Sequence, residues 1–183
     1  LGINGGSIEP MTTMYAEDDA IKQLKRAKNI YKERFCREET NIKHKKNKKI
    51  RIGYFSSDFT DHPVMHLIYR IFELHDNSMF EIFIYSFNSC ENNFIKRLKK
   101  LVFCLKSLHG ISDLEAVKLV RNDQIDIAID LMGYTNNNRM PIFSHRVAPI
   151  QVNYLGYPGT LGSKTINYII AYNITIPEKY SKF

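Results

Sequence analysis

The sequence predicts an α/β fold, a parallel sheet covered by helices on both faces. Three observations carry that expectation. From Lys49 onward, short β-branched and aromatic runs alternate with amphipathic helical segments, the pattern of strands joined by helical crossovers. Most of the runs stop at turn-forming or glycine-containing stretches. The 183 residues, 44% of them hydrophobic, suffice for one domain with a proper core and are too few for two large ones.

Each element follows from its local pattern. Residues 16–35, "AEDDAIKQLKRAKNIYKERF", read as a helix, with acids in the first turn, bases later, and Ile21, Leu24, Ala27, Ile30 and Tyr31 at helical spacing. Residues 36–48 are polar and basic and read as a linker. "KIRIGYFSS" reads as a strand, and "HPVMHLIYRIFELHD" as a helix with Pro63 near its first turn, where a missing N–H does no harm. "MFEIFIYSF" is a strand, "NNFIKRLKKL" a short helix, and "VFCLKSL" a strand. "SDLEAVKLVRNDQ" is a helix with Ser112 at the N-cap and Glu115 three residues on, a capping box. "IDIAIDLM" is a strand, "NNRMPIFSHR" a short helix or turn, "PIQVNYL" a strand, "GYPGTLG" a loop and "INYIIAY" the last strand. No internal repeat is visible.

The charge balance, 26 basic against 19 acidic residues, gives a formal +7. Such a surplus suits nucleic acid or an anionic membrane only if it is gathered into a recognition surface. Much of it lies in "KHKKNKK", Lys43–Lys49, and in Lys96–Lys100. The first run reads as a solvated linker, and no RNA-binding signature or zinc knuckle accompanies it, so nucleic acid is not an expected partner. Cys36, Cys90 and Cys104 form no CxxC pair or zinc spacing, which fits a reducing, cytoplasmic compartment. No apolar run approaches a membrane span, and no signal-peptide pattern opens the chain. "LGINGGSIEP" and "IPEKYSKF" read as unfinished ends, the expectation for a piece of a longer protein.

In parallel sheets of this kind, ligands bind beyond the carboxyl ends of the strands. Three stretches fall there: "SSDFTDHP", "GYTNNNR" and "LGYPGTLG". The first carries Asp58, Asp61 and His62; the others carry glycines, which permit close backbone approach. Spacing leaves two readings of the first stretch. In one, His62 contacts a phosphate or a sugar edge at a helix N-terminus, with a carboxylate to orient it or take a proton. In the other, an aspartate caps the helix and His62 lies on the surface. His62 and His66 stand four apart, but Pro63 occupies the position of a zincin's glutamate and no third ligand offers itself, so no metal is expected and His66 reads as a packed or partly buried helix residue. "GYPGT" and "GYT" read either as loops tight against a ligand or as ordinary glycine turns. No Walker loop, GxGxxG or GxSxG is present.

Taken together, "IRIGYFSSDFTDHPVMHLI", "IDIAIDLMGYTNNNR", "HRVAPIQVNYLGYPGTLG" and "NYIIAYNITIP" resemble the amino-terminal catalytic lobe of the O-GlcNAc transferases and their SPINDLY relatives. The resemblance implies a Rossmann-like lobe of a GT-B glycosyltransferase over residues 49–183. It implies a helical joining segment and basic linker over 1–48, with tetratricopeptide repeats and a nucleotide-binding carboxyl-terminal lobe outside this chain. It implies inverting, metal-independent transfer, most simply of GlcNAc from UDP-GlcNAc to Ser or Thr hydroxyls of an acceptor protein or peptide, with no cofactor beyond the donor. By the same resemblance His62 matches the active-site histidine, Asp58 an acid proposed as proton acceptor, and Pro63 the neighbouring proline. Tyr134 and Thr135 match a Gly-Tyr-Thr loop, and Leu155, Gly156 and Pro158 match contacts to the sugar. Val64 and Met11 replace a threonine and a histidine of the animal enzymes. "GYPGT" favours the GlcNAc branch, while GDP-fucose is the donor alternative and a non-catalytic scaffold the functional one. This polypeptide alone is not expected to turn over.

Overall fold

The computed structural model describes residues 10–16, 18–35, 42–88 and 92–180. Six parallel strands form one sheet: β1 Ile50–Ser56, β2 Phe80–Ser86, β3 Cys104–Ser107, β4 Ile127–Asp130, β5 Ile150–Tyr154 and β6 Tyr168–Ile170. Their order is β3-β2-β1-β4-β5-β6. The chain runs outward from β1 in one direction, then returns to β4 on the other side, so β1 and β4 flank the switch point where crossovers diverge and a crevice opens.

Six α-helices accompany the strands among the described residues: α1 Pro10–Ala16, α2 Ala20–Ile30, α3 Pro63–Leu74, α4 Asn93–Leu98, α5 Asp113–Asn122 and α6 Met140–Ser144. Side chains alternate across each strand, and the two faces collect separate cores. Phe55, Phe83, Tyr85 and Ala128 pack with Ala116, Val117 and Val120 of α5, with Ile142 and Phe143 of α6, and with Ala27 and Ile30 of α2. Ile52, Tyr54, Ile82, Ile84, Ile129 and Val152 pack with Met65, Ile68 and Phe72 of α3 and with Ile95 and Leu98 of α4. In α3 the buried residues stand three and four apart, and each contributes about 1.5–3 kcal/mol by leaving water.

The expected helix over 16–35 is divided. Asp19, extended at φ −140°, accepts from the Lys22 N–H and starts α2, while α1 lies before it. A π-helical turn, Tyr31–Phe35, continues α2. These helices pack into the core on one face of the sheet, and Tyr31 is hydrogen-bonded to Thr165 at 3.1 Å between hydroxyls. The linker is also less free than its composition suggests. Lys43, Lys45, Lys46 and Lys48 are exposed, but His44 and Asn47 are tied to Asp126 at 2.7 and 2.8 Å, and Asn47 also donates to the Gln124 carbonyl. Residues 36–41, with Cys36, and residues 89–91, with Cys90, lie outside the described residues. No described helix is long and apolar enough to cross a membrane.

Candidate active site

The loop after β1 begins with Ser56 and Ser57, whose hydroxyls face the Met132 sulfur beyond β4 at 3.1 and 3.5 Å. Asp58 follows. Its backbone N–H donates to Ser56 Oγ at 2.8 Å, and its Oδ1 accepts from Ser57 Oγ at 2.9 Å. From the β2 side, Asn88 donates to the Ser57 carbonyl, and Asn92 donates to the Phe59 carbonyl at 3.0 Å while capping α4. The loop is thus held by side chains arriving from two later segments.

His62 is itself the N-cap of α3, at φ −143° and ψ 144°, and its Nδ1 accepts from the Val64 N–H at 3.3 Å. Neither aspartate performs that capping. Asp58 Oδ2 lies 3.6 Å from His62 Nδ1, and Asp61 is paired with His66 Nε2 at 2.7 Å. His66 is exposed, with its ring edge-on to Phe94, which corrects the expectation of a packed or partly buried residue. The cap fixes His62's chemistry. With Nδ1 accepting, the neutral ring carries its proton on Nε2, so His62 presents a hydrogen-bond donor. Pro63 follows at the first helical position, exposed beside it.

The loop after β4 is organised by Asp130, whose carboxylate accepts from Met132 N and Gly133 N, each at 2.9 Å. Gly133 has φ +55°, and an added Cβ there would stand 2.4 Å from Tyr157 Cβ. Tyr134 is buried. Its hydroxyl donates to the Leu161 carbonyl at 2.6 Å, its ring stacks on Phe35, and burial pushes its phenol well above the ordinary value. It therefore supports the loop with its side chain and leaves Thr135, half-buried with its hydroxyl on the Met132 carbonyl, nearer the opening.

The loop after β5 turns at Leu155, a non-glycine residue at φ +71°, bracketed by a hydrogen bond from Gly156 N to Tyr154 O at 2.9 Å. Such a γ-turn is strained, and strain of this kind persists where surrounding structure enforces it. The next residue shows what enforces it: a Cβ on Gly156 would lie 1.8 Å from the Leu131 carbonyl oxygen. Pro158 is exposed. The three strand-end loops are therefore interlocked, Ser56 and Ser57 on Met132, Leu131 against Gly156, and Gly133 against Tyr157. Gly162 closes the set from behind, with Lys28 N of α2 2.4 Å from where its Cβ would be.

Beside these loops opens a cleft of about 720 Å³, walled by Met11 and Pro10 of α1, Arg34 and Phe35 of the π turn, Pro141, and the run Tyr134–Asn138. Among the described residues, no three His, Cys, Asp or Glu side chains come together as a metal centre requires.

A protein-family model described as glycosyl transferase family 41 matches residues 11–183. The chain belongs to glycosyl transferase family 41. Curated relatives agree with this family 41 assignment. A probable UDP-N-acetylglucosamine–peptide N-acetylglucosaminyltransferase, SEC, of Arabidopsis thaliana is 36% identical over 135 residues, 73% of this chain and 14% of its own length. The corresponding transferase of Caenorhabditis elegans is 40% identical over 131 residues, 70% of this chain and 11% of its own length. A SPINDLY protein of Oryza sativa is 29% identical over 183 residues, 95% of this chain and 20% of its own. A solved variant of the O-GlcNAc transferase of Thermobaculum terrenum superposes with TM-score 0.82 at 26% identity, covering 91% of this chain and 33% of that one. This family 41 chain thus spans between 11% and 20% of the length of these curated relatives.

Sequence reasoning passed over Asn88, Asn92, Asp130 and Asn153. Only Asn92 carried a local signal, as an N-cap before a helical run. Asn88, on the Ser57 carbonyl, and Asn153, on the Asp130 carboxylate, act across strands that the linear pattern does not order, and Asp130 reads as an ordinary strand-end residue although it holds the next loop's amides.

Proposed function

We propose that this chain is the acceptor-side lobe of an inverting, metal-independent glycosyltransferase that moves GlcNAc from UDP-GlcNAc to Ser or Thr hydroxyls of proteins. The observation that carries this reading is the interlocking, around the β1–β4 switch point of a family 41 chain, of the two glycine loops with the loop that leads to His62. Curated relatives are named as UDP-N-acetylglucosamine–peptide transferases, which favours that donor and a polypeptide acceptor.

The chemistry assigns the parts. The acceptor oxygen attacks the anomeric carbon from the face opposite the leaving group; the bond to the diphosphate oxygen breaks, and UDP departs with the electron pair. His62 Nε2–H donates to an oxygen of the donor as charge develops there, an interaction worth most in a site from which water is excluded. Asp58, with Oδ2 turned toward the imidazole, receives the proton that the acceptor hydroxyl loses as it attacks. The Leu155–Gly156 backbone and Pro158 bound the sugar pocket, and Thr135 lies at its edge. The cleft beside Asn136–Asn138 offers amide groups suited to an extended acceptor backbone. In this reading most contacts to the nucleotide come from a lobe outside the chain.

Intact-mass spectrometry of an acceptor protein, incubated with the intact protein and UDP-GlcNAc, UDP-glucose or GDP-fucose, names the donor. The expected result is an N-acetylhexosamine increment with UDP-GlcNAc, absent for His62→Ala. A fucose increment, or undiminished transfer by His62→Ala, contradicts the proposal.

A further inference from the structure

One carboxylate at the crevice has no role in the reaction above. Asp130, at the end of β4, is 2% exposed, and the partners that hold it are N–H groups: Met132 N on Oδ1, Gly133 N on Oδ2, and Asn153 Nδ2 on Oδ2 at 3.2 Å. Burying a carboxylate is costly unless its lone pairs are met. Here they are met by two successive backbone amides of one loop and by a side chain of the next strand. Asn153 stands directly opposite Asp130 in the β4–β5 register and leads through Tyr154 into the Leu155 turn. The Asn153 side-chain Oδ1 is buried without a hydrogen-bond partner among the described residues, so its amide is oriented by Asp130.

We propose that Asp130 is a positioning residue, which fixes the Gly133–Thr135 turn directly and, through Asn153, the Leu155–Gly159 loop. This rests on the reading of those loops as walls of the sugar pocket. The carboxylate suits the task because it only accepts. Both of its oxygens receive N–H donors, whereas an asparagine of the same shape would set an NH2 against one of them. Desolvation raises its carboxyl to about 6, against the pull of the same three donors. The titratable neighbour is the Tyr134 phenol, itself held neutral by burial.

The test uses the intact protein with Asp130→Asn and Asn153→Ala, read by hydrogen exchange and by donor kinetics. Asp130→Asn should exchange about tenfold faster or more across 131–136 and 154–160, with β1 and β2 unchanged. Its kcat/KM for UDP-GlcNAc should fall about 100-fold per folded enzyme, with KM rising. Asn153→Ala leaves the two backbone bonds in place and should loosen 154–160 alone, which carries the test if Asp130→Asn does not fold. Unchanged exchange in 154–160 for both variants, or loosened loops with unchanged kcat and KM, overturns the proposal. If the wild type transfers no sugar, the functional reading fails by itself, and the exchange pattern still decides whether Asp130 couples the loops.

Discussion

Gly156→Ala is the sharpest perturbation the site offers. The added Cβ would lie 1.8 Å from the Leu131 carbonyl oxygen and 2.8 Å from its carbon. A relaxed C···O contact is about 3.3 Å, so one backbone must retreat by about 1.5 Å. Leu131 is poorly placed to yield, because its N–H donates to the Phe55 carbonyl at 3.0 Å and Asp130 grips the next two amides. The displacement therefore falls on the loop that carries Leu155 and Pro158. A misplacement of about 1 Å at a reacting centre costs about 100-fold in rate. Gly110→Ala is the control: Gly110 has positive φ, at +76°, which Gly156 does not, but nothing lies within 4 Å of its would-be Cβ. That change should cost only the left-handed backbone penalty, about 1–2 kcal/mol, and leave turnover intact. Initial rates of transfer from UDP-GlcNAc, normalised to folded protein, compare the two. A Gly156→Ala enzyme within about threefold of wild type would refute the reasoning that this loop's position sets the rate.

Other consequences are equally open to measurement. His62→Asn keeps a short side-chain acceptor at the α3 N-cap but loses the Nε2 donor, whereas His62→Ala loses both. The first should melt near the wild-type temperature and the second about 1 kcal/mol less stable, with neither transferring sugar; wild-type turnover by His62→Asn would contradict the donor role. The Asp130 carboxyl, raised from 3.8 to about 6, keeps a proton in the folded lobe that the unfolded chain releases. The corresponding stability is complete below pH 3.8 and is lost as pH climbs through 6, about 3 kcal/mol in all, so denaturant unfolding of Asp130→Asn should lack that slope; an unchanged pH profile would contradict it. Calorimetric titration of this chain alone with UDP-GlcNAc should give negligible binding, and sub-millimolar affinity would place the nucleotide site within the lobe.

The strands and most helices were legible because their signals are local. Alternation of apolar runs gave all six strands in order, and Ser112 with Glu115 gave a capping box that the structure contains in full. Where the reading faltered, the deciding contact was distant or unusual. Asparagine and aspartate outrank histidine as caps, so an aspartate was expected at α3; Asp61 instead meets His66, and Asp58 meets Ser57. The lysine-rich linker looked uniformly solvated because the partner of His44 and Asn47 is Asp126, 82 and 79 residues away. The Gly-Tyr-Thr motif placed Tyr134 at the site but gave no sign that its hydroxyl holds the Leu161 carbonyl, 27 residues on. Asp130 read as one more residue of "IDIAIDLM". Its significance appears only once β5 is known to lie beside β4, which puts Asn153 opposite it.

The central claim is that a sugar sits where the strand-end loops meet, and a crystal structure of the intact protein with UDP-GlcNAc tests it most directly. The account predicts the GlcNAc ring against the Leu155–Gly156 backbone, with His62 Nε2 within about 3.2 Å of a donor oxygen. A donor bound elsewhere, with His62 Nε2 turned to water, would contradict it.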